Sequence, residues 1–333
     1  MAVVPVHRAF VTVINTGNTW SSHPSQSGTE SIQVRWRVDK SVAAEPNTAT
    51  ITLSNLSPRS RDTICEVVRK QIVWTPAQLR ELAAAGASTS PSETVHTNLG
   101  IASVRLEVSE GDLPPWLWYS GQSTKIVFDP STPTTSLTLE CTDFSDGVGA
   151  GQVIPPRSYS AGTPIVDVLV DHIHAMGLNV ERDILETQMF AQYAKLGLVT
   201  VASTKLISPL TTAGPAAIYL RRVFEALKLS WMVLDGTLYV LGDDAVLPGY
   251  SPIVLTPSNG TLLRSPTRVE EGGLECDTLL RPGLIPGRAV QVQATGLGSA
   301  SYRCRRIASN GDNQSGSAVQ LSLETLTTIP GLF

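Results

Sequence analysis

CDTLLRPGLIPGRAVQVQA, residues Cys276–Ala294, places two Pro-Gly pairs between two apolar β-type runs. Proline fixes φ and removes an N–H, while glycine permits positive φ. Each pair therefore predicts a turn that holds its register. Arg281 and Arg288 bracket the loop. A rigid loop of this kind either displays two fixed cations to a carboxylate on a neighbouring chain or leaves them solvated. The residues alone favour solvation.

On either side of this loop, the tail reads as short alternating strands: SPIVLTP, GGLECDTLL, AVQVQATG, YRCRRIASN and SAVQLSLETL. The first half reads the same way. In SIQVRWRV, Ile32, Val34, Trp36 and Val38 face one side and Gln33, Arg35 and Arg37 the other. After a Pro46–Asn47 turn, TATITLSNL repeats the alternation, and runs at 101–109, 116–128 and 135–143 continue it. A helical insertion is predicted at about 59–100. There Ile64, Val67, Val68 and Ile72 form one stripe, and Thr75-Pro76 caps a short Ala-rich helix stopped by Gly86.

The character changes near residue 150. The Gly- and Pro-rich stretch 147–162 reads as a linker. TPIVDVLVDHIHAMG then predicts a helix with Thr163 as N-cap, Pro164 at the first helical position and Gly177 past its end. Its apolar stripe is Ile165, Val168, Leu169, His172 and Met176. PAAIYLRRVFEALKLSW, 215–231, predicts a second helix running into a hairpin turned at Asp235-Gly236. The segment 180–212 carries no regular pattern. The resulting division is 1–150 β-domain, 151–250 small α+β module and 251–333 second β-domain, with strand exchange allowed across the boundary.

The chain has 333 residues, 42% hydrophobic and only 16% charged, so it can bury large cores beneath a Ser-, Thr-, Asn- and Gln-rich surface. A net charge of −4 argues against a nucleic-acid partner held through phosphates. No apolar run approaches the roughly 20 residues that cross a bilayer, and the N-terminus has no signal-peptide pattern. Four scattered cysteines without a CxxC predict reduced, mostly buried thiols and no zinc site.

Candidate chemistry is sparse. His172 and His174, two apart on a helix, point to nearly opposite faces and cannot share a metal ion. Asp143 and Asp146, beside Glu140, suit turn amides better than an acid–base pair. GVGAG at 147–151 lacks the Lys-Ser/Thr of a phosphate loop. Trp116 and Trp118 suit sugar stacking or, more commonly, barrel filling. No catalytic, cofactor-binding or metal-ligating residue is assigned, and no cofactor is expected.

TLLRPGLIPGRAVQV, followed by YRCRRIASNGDNQSGSAVQLSLET, resembles the C-terminal part of baseplate hub proteins of contractile-tailed bacteriophages, a tail-tube-like family also found in related contractile injection systems. The matching pieces are Leu279–Val292, Tyr302–Asp312 and Ser317–Thr325. Upstream, VRWRVDKSVAAEPNTATITLSNLSPRSRDTI (34–64), YSGQSTKIVF, SLTLECTDFSDGV, GTPIVDVLVDHIHAMGL and AIYLRRVFEALKLSWMVLDGTLYVL resemble later blocks in the same order.

The resemblance implies a mainly β fold: tail-tube-like antiparallel β-barrel or sandwich domains plus a small α+β module. It implies a homotrimer whose two tube-like domains per chain form a pseudo-hexameric ring. Its partners would be the tail tube protein above, the central spike protein below and other baseplate wedge proteins. DNA would pass through a neutral or acidic lumen without specific binding, and no membrane is involved. The chain would be made in the host cytoplasm, reside in the virion's tail baseplate and carry out no chemistry. Arg281, Pro282, Gly283, Pro286, Gly287 and Arg288 form the loop expected to meet a neighbour, while Asn47 and Asn55 hold turns. The competing readings are a tube or tube-terminator ring protein, a murein-cleaving hub enzyme and a carbohydrate-binding module.

Overall fold

The computed structural model describes residues 7–15, 18–23, 32–42, 46–69, 102–110, 113–129, 136–143, 153–197, 204–234, 236–242, 245–259, 261–269, 273–294, 298–313 and 316–326. The first part holds β1 (His7–Asn15), β2 (Asn18–Ser21), β3 (Gln33–Ser41), β4 (Thr48–Ser54), α1 (Pro58–Arg69), β5 (Ser103–Glu110), β6 (Trp116–Asp129) and β7 (Ser136–Thr142). The middle holds β8 (Val153–Tyr159), α2 (Ile165–Ala175), β9 (Asn179–Val180), α3 (Arg182–Lys195), β10 (Leu210–Pro215), α4 (Ala216–Ala226), β11 (Leu229–Leu234) and β12 (Thr237–Gly242). The tail holds β13 (Ile253–Leu255), β14 (Thr267–Arg268), β15 (Leu274–Thr278), β16 (Ala289–Ala294), β17 (Gly298–Asp312) and β18 (Gly316–Thr325).

The first and last parts fold into one mostly antiparallel sheet of 13 strands. Alternation drives it. On β3 and β4, Val34, Trp36, Val38, Ala49, Ile51 and Leu53 are buried, while Arg35, Arg37 and Thr50 lie outside. β17 joins the two parts: Gly298–Arg303 pairs with β16 and Arg306–Asp312 with β3, across a register shift between Cys304 and Arg306. One contiguous core holds residues from both ends, among them Trp36, Leu139, Cys276, Val290 and Leu321. The first and last parts thus share one core, which breaks off for the module and resumes at Ile253. Gly311 has no room for a Cβ because the Trp36 indole lies against it.

Two buried polar ties cross this body. Lys40 donates to the carbonyl of Trp118 with its ammonium over the Trp118 ring, and Trp118 Nε1 donates to Ser309 Oγ (3.0 Å). Trp118 is thus core filling, and no sugar platform forms on it.

The middle part packs its own core, in which Leu169, Ile173, Leu185, Met189, Leu220 and Phe224 meet Trp231, Val233, Leu238 and Val240 of the β11–β12 hairpin. The unassigned 180–212 segment supplies β9, α3 and the start of β10. The expected linker departs from its reading, because Val153–Tyr159 pairs antiparallel with β10. Pro155 and Pro156 fall opposite the register shift between Thr212 and Gly214, where a missing N–H breaks no ladder bond. The start of α2 is also corrected. Pro164 itself is the cap, at ψ 134°, without a side-chain bond, and Thr163 Oγ1 donates instead to the Ser160 carbonyl.

α1 lies at the start of the expected insertion, with Ile64 fully buried. Ile72, the Thr75-Pro76 cap, Gly86, Asp146, GVGAG and Asp235 lie outside the described residues, as do the side chains of Val67 and Val68. Gly236, at φ 81°, sits in the hairpin turn where expected, with Leu234 opposite Thr237. The first β run, His7–Asn15, carried no strand assignment in the sequence reading, yet it pairs along its length with β5.

Candidate functional site at the joint between body and module

The Pro-Gly loop lies where the body meets the module. Both glycines take positive φ, 75° at Gly283 and 79° at Gly287, as two Pro-Gly turns require. The loop's two halves have different surroundings. Pro282 and Gly283 are exposed and Arg281 is half-buried, whereas Pro286 and Gly287 are buried. A Cβ on Gly287 would come within 2.8 Å of Leu241 Cδ1 and Met232 Cε of the module hairpin. The Gly287 N–H donates to Cys304 O (2.7 Å), and Gly287 O accepts from Leu247 N–H (2.8 Å).

Arg288 is not displayed as a free cation. Its Nε and Nη2 donate to Ser251 O (2.9 and 2.7 Å), and Nη1 donates to Gly283 O, so the guanidinium closes its own loop. Its cationic face lies over Tyr250, and burial lowers its pKa from the ordinary arginine value.

The module presents an apolar face to this loop. Met232, Leu234, Leu241 and Leu247 form a separate buried cluster, against which Val42 of the β3–β4 connection and Ile285 of the Pro-Gly loop pack. The hairpin is therefore buried on both faces. Trp231, Val233, Leu238 and Val240 point into the module, and Met232, Leu234 and Leu241 point into the joint. The near-continuous apolar run WMVL–TLYVL was the available signal for two-sided burial.

Two polar side chains lock the joint. Asn47, 4% exposed, donates from Nδ2 to Val233 O (2.8 Å) and to Asp143 Oδ2, while its Oδ1 accepts from Ser41 N–H. Asp143 Oδ1 also accepts the Asn47 N–H (2.8 Å), so this carboxylate serves turn amides. Arg303, 5% exposed, donates through Nη1 to Gly242 O (2.8 Å) and Ala245 O (3.1 Å), and through Nη2 to Glu324 (2.8 Å). The sequence reading did not single out Arg303. Alternation along YRCRRIASN places it on an ordinary strand position, and only tertiary packing reveals two carbonyls waiting for it. Asn55 takes φ 62°, which suits an asparagine-held turn.

A second polar network ties α2 to β8 and β10. His172, 2% exposed, places Nδ1 2.7 Å from Val168 O, and Nε2 lies 3.0 Å from Thr212 Oγ1. A carbonyl only accepts, so Nδ1 carries the proton. Tyr219 stacks on the ring, and Tyr159 donates to Asp171 (2.7 Å), which also pairs with Arg157. The Arg157 guanidinium holds the Asp171 pKa below its ordinary value, and burial pushes the Tyr159 hydroxyl up to about 12. His174 faces solvent.

The four cysteines are thiols and form no disulfide with one another. Burial pushes the Cys141, Cys276 and Cys304 thiols up to about 12, which disfavours thiolate chemistry. Among the described residues, no three His, Cys, Asp or Glu side chains gather to hold a metal ion, and no helix is long and apolar enough to cross a membrane.

No protein-family model matches the sequence, and no curated protein is similar to it at the sequence level. The fold is similar to solved structures. A 43 kDa tail protein of prophage MuSo2 from Shewanella oneidensis aligns at TM-score 0.54 and 9% identity, over 96% of this chain and 97% of that one. A tail protein from Neisseria meningitidis MC58 aligns at 0.53 and 11%, over 95% and 96%. A chain of the lidded Francisella PdpA–VgrG complex aligns at 0.51 and 6%, over 99% of this chain and 54% of that one. At such identities the likeness is one of fold: a β-rich, tail-protein architecture with a small helical module.

Proposed function

We propose that this chain is a structural component of a contractile phage tail or related injection machine, acting as the hub of its baseplate. In this reading three copies form a pseudo-hexameric ring between tail tube and central spike. The protein resides in the virion and works by assembly alone. The observation that carries the reading is the match to two tail proteins, one of them from a prophage, along more than nine-tenths of both partners. The similar chain from a PdpA–VgrG complex supports an assembly role.

The physical character of the surface agrees with a ring subunit. Hydroxyl-rich outer rows, such as Ser136, Thr138 and Thr142 of β7, suit burial against other chains without making an insoluble monomer. The exposed corner Arg281–Pro282–Gly283 is the part of the Pro-Gly loop available to a neighbour, because Pro286, Gly287 and Arg288 are engaged within the chain. An enzymatic hub and a carbohydrate-binding module have less support. Trp118 is buried in the core, and the described carboxylates Asp143 and Glu140 are engaged with Asn47 and Lys125.

Light scattering on the purified protein, at low and high concentration, tests the reading. A stable particle of three 35.6 kDa chains is expected, alone or with the spike. Six copies would transfer the assignment to a tube or terminator ring.

A further inference from the structure

Outside the joint, an open groove of about 650 Å³ crosses the outer face of β4, β3, β17 and β18. Arg35 and Arg37 occupy its middle, both exposed, with Thr50 and Thr52 on one side and Asn310 and Asp312 on the other. Two neighbouring carboxylates are already paired, Asp39 with Arg306 and Glu140 with Lys125, while Asp312 stands opposite Arg35 in register. Arg35 and Arg37 have no ion pair among the described residues. With Asp312 counted, they leave the groove a net positive charge among the described residues.

We propose that this groove binds an extended acidic segment of a partner protein, with carboxylates at every second residue seated on Arg35 and Arg37. Residues two apart on a strand project from one face about 6.6–6.8 Å apart, and an extended peptide repeats its side chains at the same interval. Each guanidinium offers a planar fork that accepts a carboxylate bidentately. Thr50, Thr52 and Asn310 add neutral donors beside it. β3 and β4 are hydrogen-bonded on both edges, so recognition runs through side chains across the face and not through strand addition. A nucleic acid fits less well. Its binding relies on a row of phosphate contacts, whereas this groove offers two cations beside Asp312 on a chain of net charge −4. The inference does not depend on the hub reading, because it concerns the face of the single chain.

The test uses the full chain and three fluorescein-labelled probes: an alternating Glu-Ser peptide, a peptide of the same composition with its glutamates in one block, and oligo-dT. Anisotropy titrations at low salt are expected to show saturable binding of the alternating peptide, weaker binding of the block peptide and weaker still of oligo-dT. Arg35→Ala combined with Arg37→Ala should weaken the alternating peptide at least about tenfold. Thr50→Glu should do the same while keeping both arginines, because Thr50 lies opposite Arg37 in register and supplies an internal carboxylate. These side chains lie outside the core, so unchanged thermal midpoints are expected and separate lost binding from lost folding. Absence of saturable binding, insensitivity to the variants, or equal affinity for the block peptide overturns the proposal. Tighter binding of oligo-dT overturns it in favour of nucleic acid.

Discussion

The β-body and the α+β module each bury an apolar core, but they differ in what they do with their second face. The body's strands are two-sided: core residues inward, and Thr, Ser and paired charges outward. The module's hairpin has no polar side. One face closes the module's core, and the other closes the joint with Val42 and Ile285. A body built this way is specified by its own alternation. The module's position is specified by contacts between distant segments, namely a rigid loop, an asparagine and an arginine. Core substitutions in the body should therefore unfold the whole chain, while substitutions in the joint should loosen the module first.

The largest effect tests the body. Trp36→Ala removes one of the largest fully buried side chains and should cost about 3–5 kcal/mol in urea unfolding. Trp36→Phe should cost only about 1–2 kcal/mol, because Trp36 Nε1 has no hydrogen-bond partner among the described residues. Equal costs for the two would mean that ring shape, and not buried volume, sets the packing there.

Arg303→Leu acts on the joint instead of the body. It takes the guanidinium donor from Ala245 O and from Gly242 O, which keeps only the Ala245 N–H, at about 1–3 kcal/mol. Hydrogen exchange should accelerate in β11 and β12 while β3, β4 and β7 keep their protection. Uniform acceleration would show that body and module unfold as one unit. Gly287→Ala follows at about 1–2 kcal/mol. It strains a φ of 79° and presses on Leu241 and Met232, whose side-chain ends can yield.

Much of the body was legible because its information is local. Val34, Trp36 and Val38, then Ala49, Ile51 and Leu53, announce their faces by alternation, and the structure buries all six. His172 could be placed on the buried stripe of α2 and His174 outside it from helical spacing alone. The Pro-Gly loop declared its rigidity but not its direction. Nothing in the sequence says that Arg288 folds back onto Ser251, or that Gly287 is needed for the approach of Leu241 and Met232. The linker reading failed for a related reason: composition marked Val153–Tyr159 as irregular, while its partner strand lay more than 50 residues away at Leu210–Pro215.

The smallest effect concerns the tie between α2 and β8. Asp171 accepts from Tyr159 and pairs with Arg157, and its pKa in the folded chain is lowered, chiefly by the Arg157 hydrogen bond. A carboxyl with a depressed folded value adds stability that is fully present above its unfolded value, near pH 4, and is lost as pH falls through the folded value. Both side chains are more than a third exposed, so solvent screens the pair and the contribution is at most about 0.5 kcal/mol. Asp171→Asn should therefore lower stability slightly at pH 7 and flatten the loss of module protection as pH falls below about 4. The body should respond to neither change, since this tie lies wholly within the module. A variant whose acid profile matches the parent in both regions would place the pH sensitivity elsewhere.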